Sequence, residues 1–220
     1  YPPCPGNIML SNPQWRRTAS DWGQTTRQWV MMPDGHSLMN LAILMDAHAV
    51  CGDMALLSAV KRGVSAGLMD NDVMLSRFAA AIDAFGNEAS WWSRWLSRAE
   101  TDVALNLKKE GVFPLVHGVR SLAMAHHVAQ TSTVARIEAL VTLQQLTPEL
   151  GNDLKDSLHV FMGLKLRAGL AELDRGLAVS GTVNSAALGT LDRDLLQDAI
   201  GVVKRFRAEL RRRFHLDAMG

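Results

Sequence analysis

Two cysteines, Cys4 and Cys51, are all that the 220-residue chain contains. No metal-ligand or redox spacing links them, which speaks against a disulfide framework and for a reduced, cytoplasmic setting. Net charge is nearly absent as well. Its 23 Lys and Arg stand against 22 Asp and Glu, a balance with no overall pull toward nucleic acid or an anionic membrane. Long apolar runs are missing. The longest, Leu38 to Val50, is broken by Asn40, Asp46 and His48, too short and too polar to span a bilayer. No signal peptide is visible.

Catalytic signatures are missing too. There is no Gly-rich phosphate loop and no Gly-x-Ser-x-Gly elbow. Of seven histidines only His126 and His127 are adjacent, and neighbours on a helix point about 100° apart, which disfavours joint ligation of one metal. Asp192-x-Asp194 resembles a metal-binding pair. A two-metal site, however, needs carboxylates held rigidly beside a phosphate loop, whereas a helix first turn favours acids for its dipole.

What is present is helical punctuation. Asn12-Pro13 reads as a cap with Pro at the first helical position, and Trp15, Trp22 and Trp29 follow at intervals of seven on one face. Helical spacing makes that stripe core packing against a neighbouring domain, with a stacking platform for bases as the alternative. Ser37 is placed to cap a second helix, Asp53 a third running to about Gly67, and Asp70 opens a segment through Ala84. Gly86-Asn87 marks a break before Glu88 to Ala99, and Val103 to Phe113 is irregular enough to hold a short extended piece. Pro114 starts the next helix, and Thr133 caps another over Val134 to Leu146.

Thr147-Pro148 opens a long helix with Leu154, Leu158, Phe161, Leu166, Leu170 and Leu173 near one face. A Gly/Ser/Asn-rich loop covers Gly176 to Gly189. Thr190 caps the last helix, whose stripe is Leu195, Ala199, Val202, Phe206, Leu210 and Phe214, with Arg211 to Arg213 in its final turn. The fold class expected is all-α: an up-and-down bundle over 53–220 with a smaller helical subregion over 13–52.

Three clusters are candidates for function. Asp46 to Asp53 gathers two acids and a His around a turn; the alternative is a capped turn in which Gly52 relieves the backbone. In Asn106 to Pro114, leading to Arg120, Lys108 and Lys109 flank a Gly turn before a helix N-terminus and could hold a phosphate; the alternative is an exposed charged loop. Lys204, Arg205, Arg207 and Arg211 to Arg213 form a basic run that reads as a solvated face.

These clusters carry a family resemblance over essentially the whole chain. The opening Tyr1-Pro2-Pro3-Cys4-Pro5-Gly6-Asn7-Ile8-Met9, then Ser11-Asn12-Pro13 and Trp15, resembles the junction in a family of bacterial nucleotidyltransferases. There the nucleotidyltransferase domain ends (1–12 here) and leads into a helical, substrate-binding C-terminal domain (13–220 here). Asp46 to Asp53, Asn106 to Arg120, and Leu164-Lys165-Leu166-Arg167 match later blocks in order. The sequence departs from the pattern where Ala47-His48 replaces an expected x-Arg, Asn106 replaces Asp, and His117 stands where many relatives have Asp.

The resemblance implies a parent protein with cyclic-nucleotide-binding-like and CBS domains. Its nucleotidyltransferase domain would be similar to those of PII uridylyltransferase and glutamine synthetase adenylyltransferase. The Gly-Ser loop and Asp-x-Asp carboxylates that use Mg²⁺ and NTP would lie upstream of Tyr1, in keeping with a chain that starts without Met and reads as a domain cut from a longer polypeptide. No cofactor and no catalytic or metal-ligating residue is expected in this chain. Asp46, Asp53, Lys108, Lys109 and Arg120 are expected to bind substrate at the catalytic cleft. The partners expected are the upstream nucleotidyltransferase and CBS domains, a protein acceptor and a second copy, with no nucleic acid and no membrane. The alternative is a helical regulatory or dimerisation module without substrate contact.

Overall fold

The computed structural model describes residues 4, 6–69, 71–83 and 104–219. The readings of Asp70 as a helix start and of Glu88 to Ala99 as a helix lie outside them. The described residues are all-α apart from one two-residue strand pair, Ala104–Leu105 (β1) against Val183–Asn184 (β2), antiparallel. The chain divides into two compact units, Tyr1–Met74 and Leu75–Gly220. The third helix, assigned above to the main bundle, therefore lies in the first unit.

The first unit opens with a 3-10 turn, Pro13–Trp15, followed by α1 (Ala19–Met31), α2 (Gly35–Asp46), α3 (Met54–Leu68) and the start of α4 (Asp72–Ala79). The tryptophan stripe does not lie on one helix. The chain is extended at Arg16 and Thr18, and the Thr18 hydroxyl accepts from Asp21 N at 3.1 Å to start α1 afresh. The three rings still form a ladder, with centroids 5.9 Å apart for Trp15–Trp22 and 6.0 Å for Trp22–Trp29. Asp34, not Ser37, caps α2: its Oδ1 accepts from Ser37 N at 2.7 Å, which puts Ser37 inside the helix.

In the second unit, a π-helical turn at Lys108–Val112 runs directly into α5 (Phe113–Ala125). Then come α6 (Thr133–Thr142), α7 (Pro148–Asp174) and α8 (Thr190–Arg213). Ser132 caps α6 and Thr147 caps α7, while Gly189 stands at the cap of α8 without a side-chain bond. Leu115, Leu122, Ile137, Leu140, Phe161 and Phe206, all essentially buried, centre the core.

Two stripe assignments are corrected by burial. Leu166, Leu170 and Leu173 are 63%, 50% and 57% exposed, on the side of α7 away from the core. On α8, Leu195 is exposed and the neighbouring Leu196 takes the core position.

Candidate functional site

The five expected substrate residues fall in different units: Asp46 and Asp53 in the first, Lys108, Lys109 and Arg120 in the second.

In the first unit, α2 stops at Asp46. Its last carbonyls are met by Lys61, whose Nζ donates to Met45 O at 2.9 Å and Ala47 O at 2.5 Å. A cation there also complements the negative end of the helix dipole. Gly52 reverses the chain with φ +83°, a region that favours glycine. Asp53 is exposed and caps α3, its Oδ1 accepting from Ala55 N at 2.8 Å. The turn thus has the capped, glycine-relieved geometry set out as its structural alternative.

Beside that turn lies an apolar groove of about 500 Å³ whose lining includes Trp15, Arg17, Trp22, Ala47, Leu56 and Val60. Arg17 is the one cation among the described lining residues. Its guanidinium stands 6.0 Å from the Trp22 ring centre and its Nε donates to Gln14 O at 2.8 Å. The regular tryptophan spacing pointed to an apolar face, but the groove itself was not legible because it is closed by α2 and α3.

In the second unit, the expected Gly turn before a helix start is absent. Asn106 caps the helical segment: its Oδ1 accepts from Lys109 N at 3.1 Å, and its carbonyl accepts from Lys109 N and Glu110 N. Asn and Asp are equivalent in that role, so Asn106 keeps the geometry that an Asp would supply. The helical N-terminus is therefore at Leu107–Lys108, and Pro114 lies six to seven residues further on, at the second position of α5. Gly111 is buried, and a Cβ added to it would lie 2.8 Å from the Phe161 ring. It is a packing glycine, not a phosphate-cradling one.

Lys108 and Lys109 are exposed on the first turn of this segment, where a helix dipole favours anions. Arg120 lies twelve residues further on, about 18 Å along the axis, so the two positions serve separate points of any ligand. Its Nη1 is 3.3 Å from His117 Nδ1.

His117 is a centre the sequence did not signal. Only 4% exposed, its ring lies between Phe78 and Phe113, at centroid distances of 4.5 and 5.3 Å. Nε2 is 2.7 Å from Phe78 O. A carbonyl can only accept and a guanidinium can only donate, so Nε2 carries the proton and Nδ1 accepts from Arg120. That neutral tautomer ties α5 to α4 and holds the guanidinium end of Arg120.

Five cations of the basic run on α8 are paired with nearby carboxylates. Arg207 and Arg211 both bind Asp83, Arg211 also binds Asp217, and Arg205 reaches Asp153 at 3.4 Å. Arg212 and Arg213 both bind Glu209. The hydrogen bond from Arg213 holds the Glu209 carboxyl below its ordinary range. The hydrogen bond that Arg211 donates to Asp217, followed by the charge of Asp83, raises the Arg211 pKa above its ordinary value. Burial, and then the charge of Arg213, pushes the nearby His126 down. Asp192 accepts from Arg167 at 2.7 Å. Among the described residues no three His, Cys, Asp or Glu side chains form a group able to hold a metal ion. Among those residues no helix is long and apolar enough to cross a membrane.

No curated protein and no solved structure matches the chain. Two families do. Residues 1–36 match a family described as a "putative nucleotidyltransferase", reaching through α1 and beyond the twelve residues assigned above. Residues 72–214 match the "putative nucleotidyltransferase substrate binding domain", beginning at α4 and ending at the last turn of α8. That match covers well over half of the sequence and nearly all of the second unit, and the chain belongs to this family of nucleotidyltransferase substrate-binding domains.

Proposed function

We propose that the second unit positions substrate for a nucleotidyltransferase domain carried by the same protein. That enzyme would transfer a nucleoside monophosphate from an NTP to a protein or small acceptor in bacterial, cytoplasmic signal transduction, under the control of CBS and cyclic-nucleotide-binding-like domains. The Mg²⁺ would be held by the nucleotidyltransferase domain. The observation carrying the reading is the family match over 72–214, which follows the second unit closely.

Within that unit Lys108 and Lys109 have the chemistry for phosphate: two exposed cations on the N-terminal turn of a helical segment. Arg120, anchored on His117, would contribute a second cationic point; Asp46 and Asp53, in the first unit, are proposed apart from these as polar contacts to substrate.

The test is charge reversal of Lys108 and Arg120 in the full-length protein. ATP affinity should fall at least about tenfold for Lys108→Glu, in line with loss of a charged contact worth ~1.5–3 kcal/mol, with helicity and oligomeric state unchanged. Unchanged affinity, or a changed oligomeric state alone, overturns the reading. So does nucleotidyl transfer by the 220-residue chain on its own.

A further inference from the structure

Helix α7 is apolar on two opposite sides. Leu154, Leu158, Phe161 and Leu164 are buried in the core. Met162, Leu166, Leu170 and Leu173 are each at least half exposed. At about 100° per residue the latter four share an arc of roughly 80°, centred some 140° round from Phe161. Single exposed leucines are ordinary, but a row of them on one helix marks an interaction surface. The loop after α7 broadens it. A Cβ on Gly169 would lie 3.3 Å from Val179 Cγ1, and Ser180 bonds back to Glu172 through N and Oγ at 2.8 and 2.6 Å.

We propose that this face seats the same face of a second copy of the chain, with α7 antiparallel to the partner's α7 across a twofold axis at Leu170. Leu166, Leu170 and Leu173, at steps of four and three residues, form an a/d-type seam, with Met162 beside it. Read from Leu170, that seam is nearly the same in both directions, as an isologous contact requires. Leu166 lies four residues before the axis and Leu173 three after, so each opposes the other's copy.

Charge selects the direction. Arg167 and Asp174 flank the seam on one side, three residues before and four after the axis. Antiparallel pairing sets Arg167 of each copy near Asp174 of the other, whereas parallel pairing puts the two flanks on opposite sides of the seam, where Arg167 and Asp174 do not meet. Arg167 also holds Asp192 within the chain, which fixes its guanidinium at the rim.

The experiment is sedimentation of the 220-residue chain over a concentration series. A monomer–dimer equilibrium is expected, and Leu170→Glu should weaken it roughly thirtyfold or more, as for a central contact residue. Met31→Glu, at a site 79% exposed in the first unit, should leave it unchanged. Asp174→Arg should also weaken the dimer, and Arg167→Asp added to it should restore it, which keeps the test valid if Leu170→Glu disturbs folding. With Cys4 and Cys51 replaced by serine, Leu170→Cys should oxidise to a reducible covalent dimer, whereas Met31→Cys should not. A monomer at every concentration, insensitivity to Leu170→Glu, or equal cross-linking from Met31→Cys would each overturn the proposal, the first pointing to another domain as the occupant.

Discussion

Replacing Gly111 with alanine separates two accounts of the Lys108–Pro114 segment. As a phosphate-loop glycine, Gly111 would matter for binding; as a packing glycine, it matters for stability. Alanine in place of glycine inside a helix is worth about 1 kcal/mol in its own right, so the reference is Gly163→Ala on α7, where a Cβ meets nothing within 4 Å. At Gly111 the new Cβ falls 2.8–2.9 Å from three atoms of the Phe161 ring. Phe161 is 0% exposed and enclosed by core side chains, so the ring cannot swing into solvent. Overpacking of this kind costs roughly 1–3 kcal/mol, and that is the expected difference between the variants, the propensity gain being common to both. At about 2–4 °C per kcal/mol for a domain of this size, Gly111→Ala should melt some 2–12 °C below Gly163→Ala, as followed by circular dichroism. ATP affinity of the full-length protein, titrated well below the transition, should not change. Equal melting of the two variants would refute the packing account, and weakened ATP binding at unaltered Tm would reinstate the phosphate loop.

Two further outcomes follow from the ionisable groups of the second unit. Burial depresses the His126 pKa below its ordinary 6.5, so the unfolded state takes up the proton more readily; stability is full above that value and declines as pH falls through and below it. His126→Asn should flatten the dependence of Tm on pH between about 7 and 5, and an unchanged slope would show that another group carries it. Asp83 holds both Arg207 and Arg211, and its side chain is 30% exposed. Asp83→Asn should lower stability by about 1 kcal/mol at low ionic strength, and less in salt near 1 M, where screening acts over ~3 Å; a urea-measured loss identical at both salts would rule out the ion pairs as its source.

The helices were legible because their signals are local. Asp53 and Thr147 cap where hydroxyl or carboxylate chemistry demands it, and Arg211 to Arg213 close α8 at the end where a dipole favours cations. The caps that were misassigned, at Ser37, Thr133 and Thr190, lay inside helices already capped at Asp34, Ser132 and Gly189. His117 was opaque for a different reason. Its partners, the Phe78 carbonyl and the Phe78 ring, are 39 residues away in sequence, and no spacing rule reports a contact across that distance. The groove lined by Trp15, Trp22, Leu56 and Val60 is likewise non-local. The acids at Asp46 and Asp53 drew notice as a cluster, whereas the concavity beside them exists only once α3 packs on α1 and α2 close by.

The two faces of α7 were within reach of the sequence. Leu154, Leu158 and Phe161 are spaced by four and three, and so are Leu166, Leu170 and Leu173; each set alone is a good helical stripe. The step between the sets is five residues, and five residues turn a helix by about 500°, which leaves the second set roughly 140° away from the first. Counting matches to a helical template merges them, because every leucine finds a neighbour at three or four. Tracking the phase separates them, and the structure buries the first set and exposes the second. A core needs one stripe per helix. Among the described residues the second stripe lies outside the core, and the five-residue step marks in the sequence the face proposed above for contact between copies.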